Sequence, residues 1–572
     1  MLVFLGLPLV GKRTIALRLK RYLRFFHGAK CKAFDVSKFA GARADDSDGV
    51  ESGAEGANAH SMEFFEKLRE FLESTDEPPA ADADPDADAD ADGAPSEDAR
   101  DVSSEPSDAV DRPPRRRPPR HRRSSSAATV NGITPSDKNA KNVDSGRVAI
   151  VFSSDALNTF YENWSGSSKE RRRWILARLA SLNSDARSST KIRVKTIFIE
   201  VTLTKSHFER NILQQKLDRD VREGKLEPGE KAAAAERWKE RVREYKKLFV
   251  TLQEDGSEDD LSYIKLINYG ERVTTNRMRA YLPQRIVQFL TATHPTKHTI
   301  YLCRHGQSEY NTTGRLGGNS PLTDRGWAFA EILARFAAER VCNLVEVPDA
   351  DGTVGGAARC PRDANSGNAG WGWEERAADD PEGPTRPARL WTSSLLRTIQ
   401  TASLIPHPVV KGPDGTSAWE SMSPRVYRNI DEIFAGDCEG LTPEEMRAAH
   451  PRATDLRKMD KIGYRYPRGE SYFDLISRLE PCIQEMESYA EPLLIVSHQA
   501  ILRCIFAYLT GVDRESAPTM ETQIQQNVVY QIDLDASSEM HITGDPEETP
   551  AFVTVWDFRE EVERRMRERG GE

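Results

Sequence analysis

The chain has 572 residues, of which 38% are hydrophobic and 30% charged, and a net charge of −10. That length calls for two domains plus irregular segments, and the acidic balance gives no ground for nucleic-acid binding. Seven cysteines, scattered and odd in number, with no Cys-x-x-Cys pair, fit a reducing compartment and neither a disulfide framework nor a zinc site.

The apolar start, residues 1–10, has no basic leader and no small-residue cleavage site, and it is too short to span a membrane. It predicts a buried first strand in a cytosolic protein with no membrane partner. Gly6, Gly11 and Lys12 follow at the spacing of a P-loop, in which backbone N–H groups and a lysine cradle phosphates. Where that motif has a Ser or Thr for Mg²⁺, this chain has Arg13, and Thr14 comes one residue late. Nucleotide binding is therefore expected, with Mg²⁺ chemistry compromised.

A helix to about Phe26, a strand at residues 32–36 and an amphipathic helix over residues 61–73 come next. Residues 74–142 carry an Asp-Ala acidic block and a Pro-Arg basic block, a composition that cannot form a packed core. Ser124, Ser125 and Ser126 follow two arginines and form a candidate site for a basophilic protein kinase. A buried strand from Arg147 leads to Asp155, the Walker B arrangement for Mg²⁺. After it come a helix bearing Arg171, a strand over residues 195–202, a helix bearing Asn211 and Lys216, a helix bearing Arg241 and Tyr245, and a strand at residues 261–269. Strands alternating with helices behind a P-loop predict a parallel α/β domain over residues 1–292.

The second half opens on the apolar run Ile300 to Cys303, a strand that delivers Arg304 and His305 to its carboxyl end. Open parallel sheets keep their ligand crevice there. Asn311, Arg315, Gly317 and Gly318 follow in a loop suited to wrapping an anion. A strand at Leu390 turns into a helix carrying Arg397, and a third strand, from Leu493, ends in His498 and Gln499. Together they predict a phosphate pocket containing a nucleophile.

Three strand ends supplying Arg-His, Arg and His-Gln resemble the histidine phosphatase superfamily, with its phosphoglycerate mutase-like three-layer α/β/α fold. It would occupy residues 296–545, with a surface insert at about residues 348–389 and a charged tail at 546–572. Preceded by the P-loop half, it resembles the 6-phosphofructo-2-kinase/fructose-2,6-bisphosphatase family, which makes and destroys fructose 2,6-bisphosphate and so regulates glycolysis and gluconeogenesis.

The resemblance implies an ordered set of roles. His305 would take the 2-phosphoryl group, with Arg304, Arg397, Asn311 and His498 around its oxygens. Glu432, in a loop resembling the family's Glu-Ile-x-Ala-Gly-x-Cys-Glu, would protonate the leaving alkoxide. Arg457, Lys461, Tyr472, Gln499 and Arg503 would hold the sugar and its 6-phosphate, with Gly317 in loop contact. No metal or other cofactor is expected there. Pro443 replaces a ligand-contacting Tyr of the family, which implies weaker substrate binding. In the kinase half, Gly6, Gly11, Lys12 and Asn211 would meet ATP, Asp155 the metal, and Arg171, Lys216, Arg241 and Tyr245 fructose 6-phosphate. Arg13, Leu157 and a missing Arg pair remove several charge-assisted hydrogen bonds, at roughly 1.5–3 kcal/mol each. A weak or lost kinase beside an intact bisphosphatase, in a homodimer, is the expectation. The alternative is a fully bifunctional enzyme with ATP-dependent synthesis.

Overall fold

The computed structural model describes residues 1–36, 54–73, 147–153, 168–184, 194–222, 224–294, 297–343, 387–411, 418–520, 524–534 and 552–570. Asp155, Leu157, Ser124 to Ser126 and the two charged blocks lie outside the described residues.

The amino half runs β1 (Leu2–Leu5), α1 (Lys12–His27), β2 (Cys31–Asp35), α2 (Ala54–Glu73), β3 (Val148–Phe152), α3 (Ser168–Ser184), β4 (Ile197–Thr202), α4 (Ser206–Arg222), α5 (Lys231–Leu248), β5 (Tyr263–Ile267), β6 (Arg272–Asn276) and α6 (Tyr281–Ala292). The sheet order is β2-β3-β1-β4-β5-β6. Strands covered on both faces need continuous apolar runs, and β3, Val-Ala-Ile-Val-Phe, is buried throughout. One departure from the expected parallel sheet is β6, which pairs antiparallel to β5 at the edge. The connection over residues 268–271 is too short for the crossover a parallel partner requires. Helix α1 stops where Gly28, at φ 58°, takes the left-handed conformation and sends its N–H to Arg24 O, while Ala29 N–H reaches Leu23 O.

The carboxyl half runs β7 (His298–Arg304), α7 (Glu309–Thr312), α8 (Asp324–Phe336), β8 (Arg389–Thr392), α9 (Leu396–Ala402), β9 (Val409–Lys411), β10 (Ala418–Glu420), β11 (Pro424–Val426), α10 (Pro443–Ala449), α11 (Ala453–Met459), α12 (Tyr472–Glu487), β12 (Leu493–Ser497), α13 (Gln499–Thr510), β13 (Val528–Leu534), β14 (Val553–Asp557) and α14 (Arg559–Gly570). The main sheet has the order β11-β8-β12-β7-β13-β14, parallel from β11 to β7 and antiparallel over β13 and β14.

Residues 552–570, within the expected charged tail, are packed against the sheet and α8. Strand β14 pairs with β13 over Val553 to Asp557, and α14 lies on α8, with Val562 fully buried and Arg565 and Arg569 on Glu331 at 2.7 and 2.6 Å. A Glu/Arg-rich composition concealed the packing, because its charges pair with a neighbouring helix. Arg389, at the expected carboxyl end of the insert, opens β8; residues 344–386 lie outside the described residues.

A single apolar core includes Leu2, Leu19 and Phe289 from the amino half and Leu479, Ile505 and Tyr508 from the carboxyl half. Helices α1 and α6 thus pack on α12 and α13. No described helix is long and apolar enough to cross a membrane.

Candidate active site

Adjacent parallel strands β8, β12 and β7 end side by side, with Ser497 in register with Arg304 and Thr392 with Val496. The residues just past those ends therefore meet. His305 and His498 lie with ring centroids 5.1 Å apart, both buried. His305 Nδ1 sits 2.7 Å from Gly306 O, an acceptor only, so Nδ1 carries the proton and Nε2 keeps its lone pair. Arg397 Nε donates to that Nε2 at 3.1 Å, and its Nη1 donates to Gly318 O at 2.7 Å. Burial, then the Arg397 and Arg304 charges, hold the His305 imidazole well below its ordinary pKa, against the opposing Gly306 bond. The ring is neutral at physiological pH, as a nucleophile must be.

His498 is lowered in the same way, by burial, then Arg397, His305 and Arg304. Its Nε2 is 2.7 Å from Ser393 Oγ. That hydroxyl also accepts Leu395 N–H at 3.1 Å and shares a hydrogen bond with Thr398 Oγ1 at 2.8 Å. The other ring nitrogen, Nδ1, has no partner among the described residues. Thr401 Oγ1 accepts Gly306 N–H at 2.9 Å and fixes the turn after the nucleophile.

Two loops close over this floor. The side-chain oxygen of Asn311 caps Ser308 and accepts from Gln526, which leaves the two N–H donors of its amide outside these bonds. Gly317 and Gly318, both at φ near +64°, are pressed against neighbours. A Cβ on Gly317 would lie 2.3 Å from the Glu439 carboxylate, which accepts the Gly318 and Ala435 N–H groups. Glu439 thereby ties the glycine loop to the loop bearing Glu432.

Glu432 is half-buried, and its charge is the leading carboxylate influence on Arg397. Its loop is held from beneath by Arg478 on α12. Arg478 donates to the carbonyls of Asn429 (2.5 Å), Asp431 (2.7 Å) and Glu432 (3.1 Å) and pairs with Glu470 at 2.9 Å. Glu470 accepts Phe434 N–H at 2.9 Å, so both ends of the loop are pinned by one ion pair. Arg478→Ala is expected to lower kcat for an alkyl phosphate about 100-fold, because a displacement near 1 Å is costly at a reacting centre. Turnover of an aryl phosphate, whose leaving group needs no proton, should fall far less. Equal losses on both substrates would mean that Arg478 does not act through Glu432. Arg478→Lys should rescue little, since an ammonium cannot fork over three carbonyls and a carboxylate.

Of the expected sugar contacts, Tyr472 is buried at the start of α12, behind a Ser471/Asp474 capping box. Arg503 lies beside it, with its guanidinium on Met520 O and Pro518 O at 3.1 and 3.3 Å. Gln499 opens α13, half-buried. Arg457, on α11, acts on the phenols of Tyr464 and Tyr466, whose pKa values burial nonetheless raises. Lys461 follows the same helix, half-buried. Pro443 occupies the first position of α10 inside a Thr442/Glu445 capping box.

In the amino half, Gly6 and Gly11 take φ 128° and 72°, and a Cβ on Gly6 would lie 2.4 Å from Val201 O. Lys12 is buried, its ammonium on Gly6 O and Leu7 O at 2.9 and 2.6 Å. Arg241 and Lys216 flank the Trp238 ring at 5.2 and 4.7 Å, and Lys216 also pairs with Asp220 at 3.2 Å. Arg171 is within electrostatic reach of Tyr245. Asn211 is half-buried on α4.

Residues 300–345 and 375–539 match the histidine phosphatase superfamily (branch 1), and residues 138–297 match 6-phosphofructo-2-kinase. A Caenorhabditis elegans protein named 6-phosphofructo-2-kinase/fructose-2,6-bisphosphatase is 32% identical over 509 residues, covering 89% of this chain and 80% of its own length. The chain belongs to this family. Form 3 of the family from Rattus norvegicus is 35% identical over 290 residues, 51% of this chain and 42% of that protein. Form 4 from Homo sapiens is 33% identical over 334 residues, 57% of this chain and 56% of that protein. Membership makes the chain an enzyme of fructose metabolism with a kinase and a phosphatase domain.

Ser393, Thr401, Glu439, Glu470 and Arg478 were not singled out by sequence reasoning. Ser393 stands in the Thr-Ser-Ser run after β8, a position whose exposure to the pocket follows from the strand end. The others contribute through contacts that no local pattern announces.

Proposed function

We propose that the chain is chiefly a fructose-2,6-bisphosphate 2-phosphatase, releasing fructose 6-phosphate and phosphate through a phosphohistidine, with a 6-phosphofructo-2-kinase lobe whose activity is weak or lost. The observation that carries this is the His305 ring: Nδ1–H spent on Gly306 O, Nε2 unprotonated and ringed by Arg397, Arg304 and His498.

His305 Nε2 attacks the 2-phosphoryl group in line, displacing Arg397 Nε from the lone pair toward the equatorial oxygens. The departing C2 alkoxide takes a proton from Glu432, which then removes one from the water that hydrolyses the phosphohistidine. Arg457, Lys461, Tyr472, Gln499 and Arg503 hold the sugar and its 6-phosphate, and Gly317 contributes from the glycine loop. No metal is required where guanidiniums supply the charge. The cytosol is the compartment proposed, since the six described cysteines are free thiols. A homodimer and phosphorylation at Ser124 to Ser126 stay part of the proposal.

The grouping of Lys216, Arg241, Arg171 and Tyr245 favours a second reading, a fully bifunctional enzyme. Assaying both directions on the purified chain decides between them. Hydrolysis with negligible ATP-dependent synthesis is expected; robust synthesis would overturn the weak-kinase part, and absent hydrolysis the whole.

A further inference from the structure

One carboxylate lies between the group that receives the phosphoryl oxygens and the acid that serves the leaving group. Glu439 follows the short turn Gly436–Cys438 and is half-buried. Its Oε2 accepts the Gly318 N–H, and its Oε1 accepts the Ala435 N–H at 2.7 Å. Gly318 in turn offers its carbonyl to Arg397 Nη1 at 2.7 Å. A single glycine therefore joins the Glu439 carboxylate to the guanidinium that rests on His305 Nε2 at 3.1 Å. Ala435, fully buried, closes the short run Glu432-Ile433-Phe434-Ala435, so the other oxygen holds the loop of the acid.

The glycine loop needs such a hold. Gly317 and Gly318, at φ 63° and 64°, have no side chain to pack, and glycine backbones are the most permissive. The approach to them is fixed by backbone bonds, Leu316 N–H to Leu441 O at 3.0 Å and Gly440 N–H to Leu316 O at 2.7 Å. Leu316 also packs with Ala435, Cys438 and Tyr466. These contacts stop at Leu316, and the bond from Gly318 to the carboxylate carries the order onward. The fit is close, since a Cβ on Gly317 would lie 2.3 Å from a Glu439 oxygen. Electrostatics alone gives Glu439 no clear benefit: its charge supports the buried Arg397 guanidinium but repels an incoming anion. Hydrogen bonds from N–H groups to a carboxylate are charge-assisted and strong, which suits the residue to fixing two loops at once.

We infer that Glu439 is a positioning residue that sets both halves of the reaction with one side chain: through Gly318 it places the Arg397 guanidinium, and through Ala435 it places Glu432. The inference rests on reading this pocket as a phosphatase site. It differs from the hold of Arg478, which reaches the loop of the acid alone.

Glu439→Asp is the test, because it keeps the charge and shortens the reach by one methylene, so that both N–H groups can no longer be spanned. Its kcat is expected to fall about tenfold or more on an aryl phosphate and on an alkyl phosphate alike. Binding of orthovanadate, followed by calorimetric titration of the full chain, should weaken about tenfold as Arg397 loses its set position. Arg478→Ala, measured beside it, should weaken vanadate far less. Unchanged vanadate affinity in Glu439→Asp, or a loss confined to the alkyl phosphate, would overturn the inference. Should that variant fail to fold, Glu439→Gln keeps the length but presents one acceptor in place of two, and the same double loss is expected. A folded Glu439→Gln with a lower melting temperature and nothing else changed rejects the role. The two readings fail separately. Wild type that binds vanadate and cleaves aryl phosphates but leaves fructose 2,6-bisphosphate intact sinks the proposed substrate only. Unchanged vanadate affinity in a Glu439 variant of a working bisphosphatase sinks this inference only, and wild type that binds no vanadate sinks both.

Discussion

His305→Ala is expected to lower hydrolysis of fructose 2,6-bisphosphate by about 10⁴-fold or more and to abolish transfer of label from the 2-phosphate to protein. The size of the effect follows from the lack of a substitute. His498 is the other imidazole in the pocket, 5.1 Å away between ring centroids, but it is held through Nε2 on Ser393 Oγ at 2.7 Å and cannot move into the place of the His305 ring. Removing the His305 ring also leaves Arg397 Nε without its acceptor in the ligand-free site. Arg397 remains on Gly318 O, so substrate binding should survive better than turnover. Rapid-quench trapping of protein labelled from the 2-phosphate, wild type beside variant, is the deciding measurement. Turnover within about tenfold of wild type in the variant would remove the phosphohistidine from the mechanism.

The parts of this site that were legible in the sequence are those where chemistry sits beside a local pattern. Val148 to Phe152 and Leu493 to Ser497 are unbroken apolar runs, so they read as strands buried on both faces, and Arg304, His305 and His498 stand directly after such runs. Parallel register then brings them together without further information. Arg478 and Glu470 were not legible for the opposite reason. Their function is a set of hydrogen bonds to carbonyls and an N–H about forty residues earlier, and carbonyls have no sequence signature. The same holds at Arg13, where the sequence announces a missing hydroxyl, but only the placement of β2 brings Asp35 to 3.9 Å from the guanidinium. Helix α14 was hidden by composition, whereas β14, Val-Thr-Val-Trp-Asp, carries a plain strand pattern that the charged stretch beside it obscured. Charge runs usually mark solvated faces, and here Arg565, Arg569 and Glu331 form ion pairs across two packed helices.

Substituting Glu487 by glutamine should cost about 3–5 kcal/mol of stability, among the larger single effects available in this fold. Glu487 closes α12 at the seam between the two sheets, and its side chain is 0% exposed. It accepts Arg18 Nη1 at 3.4 Å, Arg21 Nη2 at 3.0 Å and the Tyr508 hydroxyl at 2.7 Å. Two guanidiniums from α1 thus share this carboxylate, beside carbonyls such as His294 O for Arg18, and neutralising it leaves positive charge buried. Burial alone would raise the Glu487 carboxyl, but the charges of Arg18, Arg21 and His298 and the Tyr508 bond outweigh it and lower it from 4.5 to about 2. A carboxyl depressed on folding stabilises fully above its unfolded value and loses that contribution as pH falls from about 4.5 through about 2. At about 1.4 kcal/mol per pH unit, the term amounts to about 3 kcal/mol, the same order as the substitution. Denaturant unfolding at pH 7, 5 and 3 should therefore show wild type losing stability toward pH 3 by more than Glu487→Gln does. Because α12 begins at Tyr472 and α13 begins just after His498, loosening this seam should also raise KM for the sugar bisphosphate before it lowers kcat. A variant as stable as wild type to within about 1 kcal/mol at pH 7 would show that the seam is held by its apolar contacts, Leu19 and Phe289 against Leu479 and Ile505, and that the buried charges add nothing net.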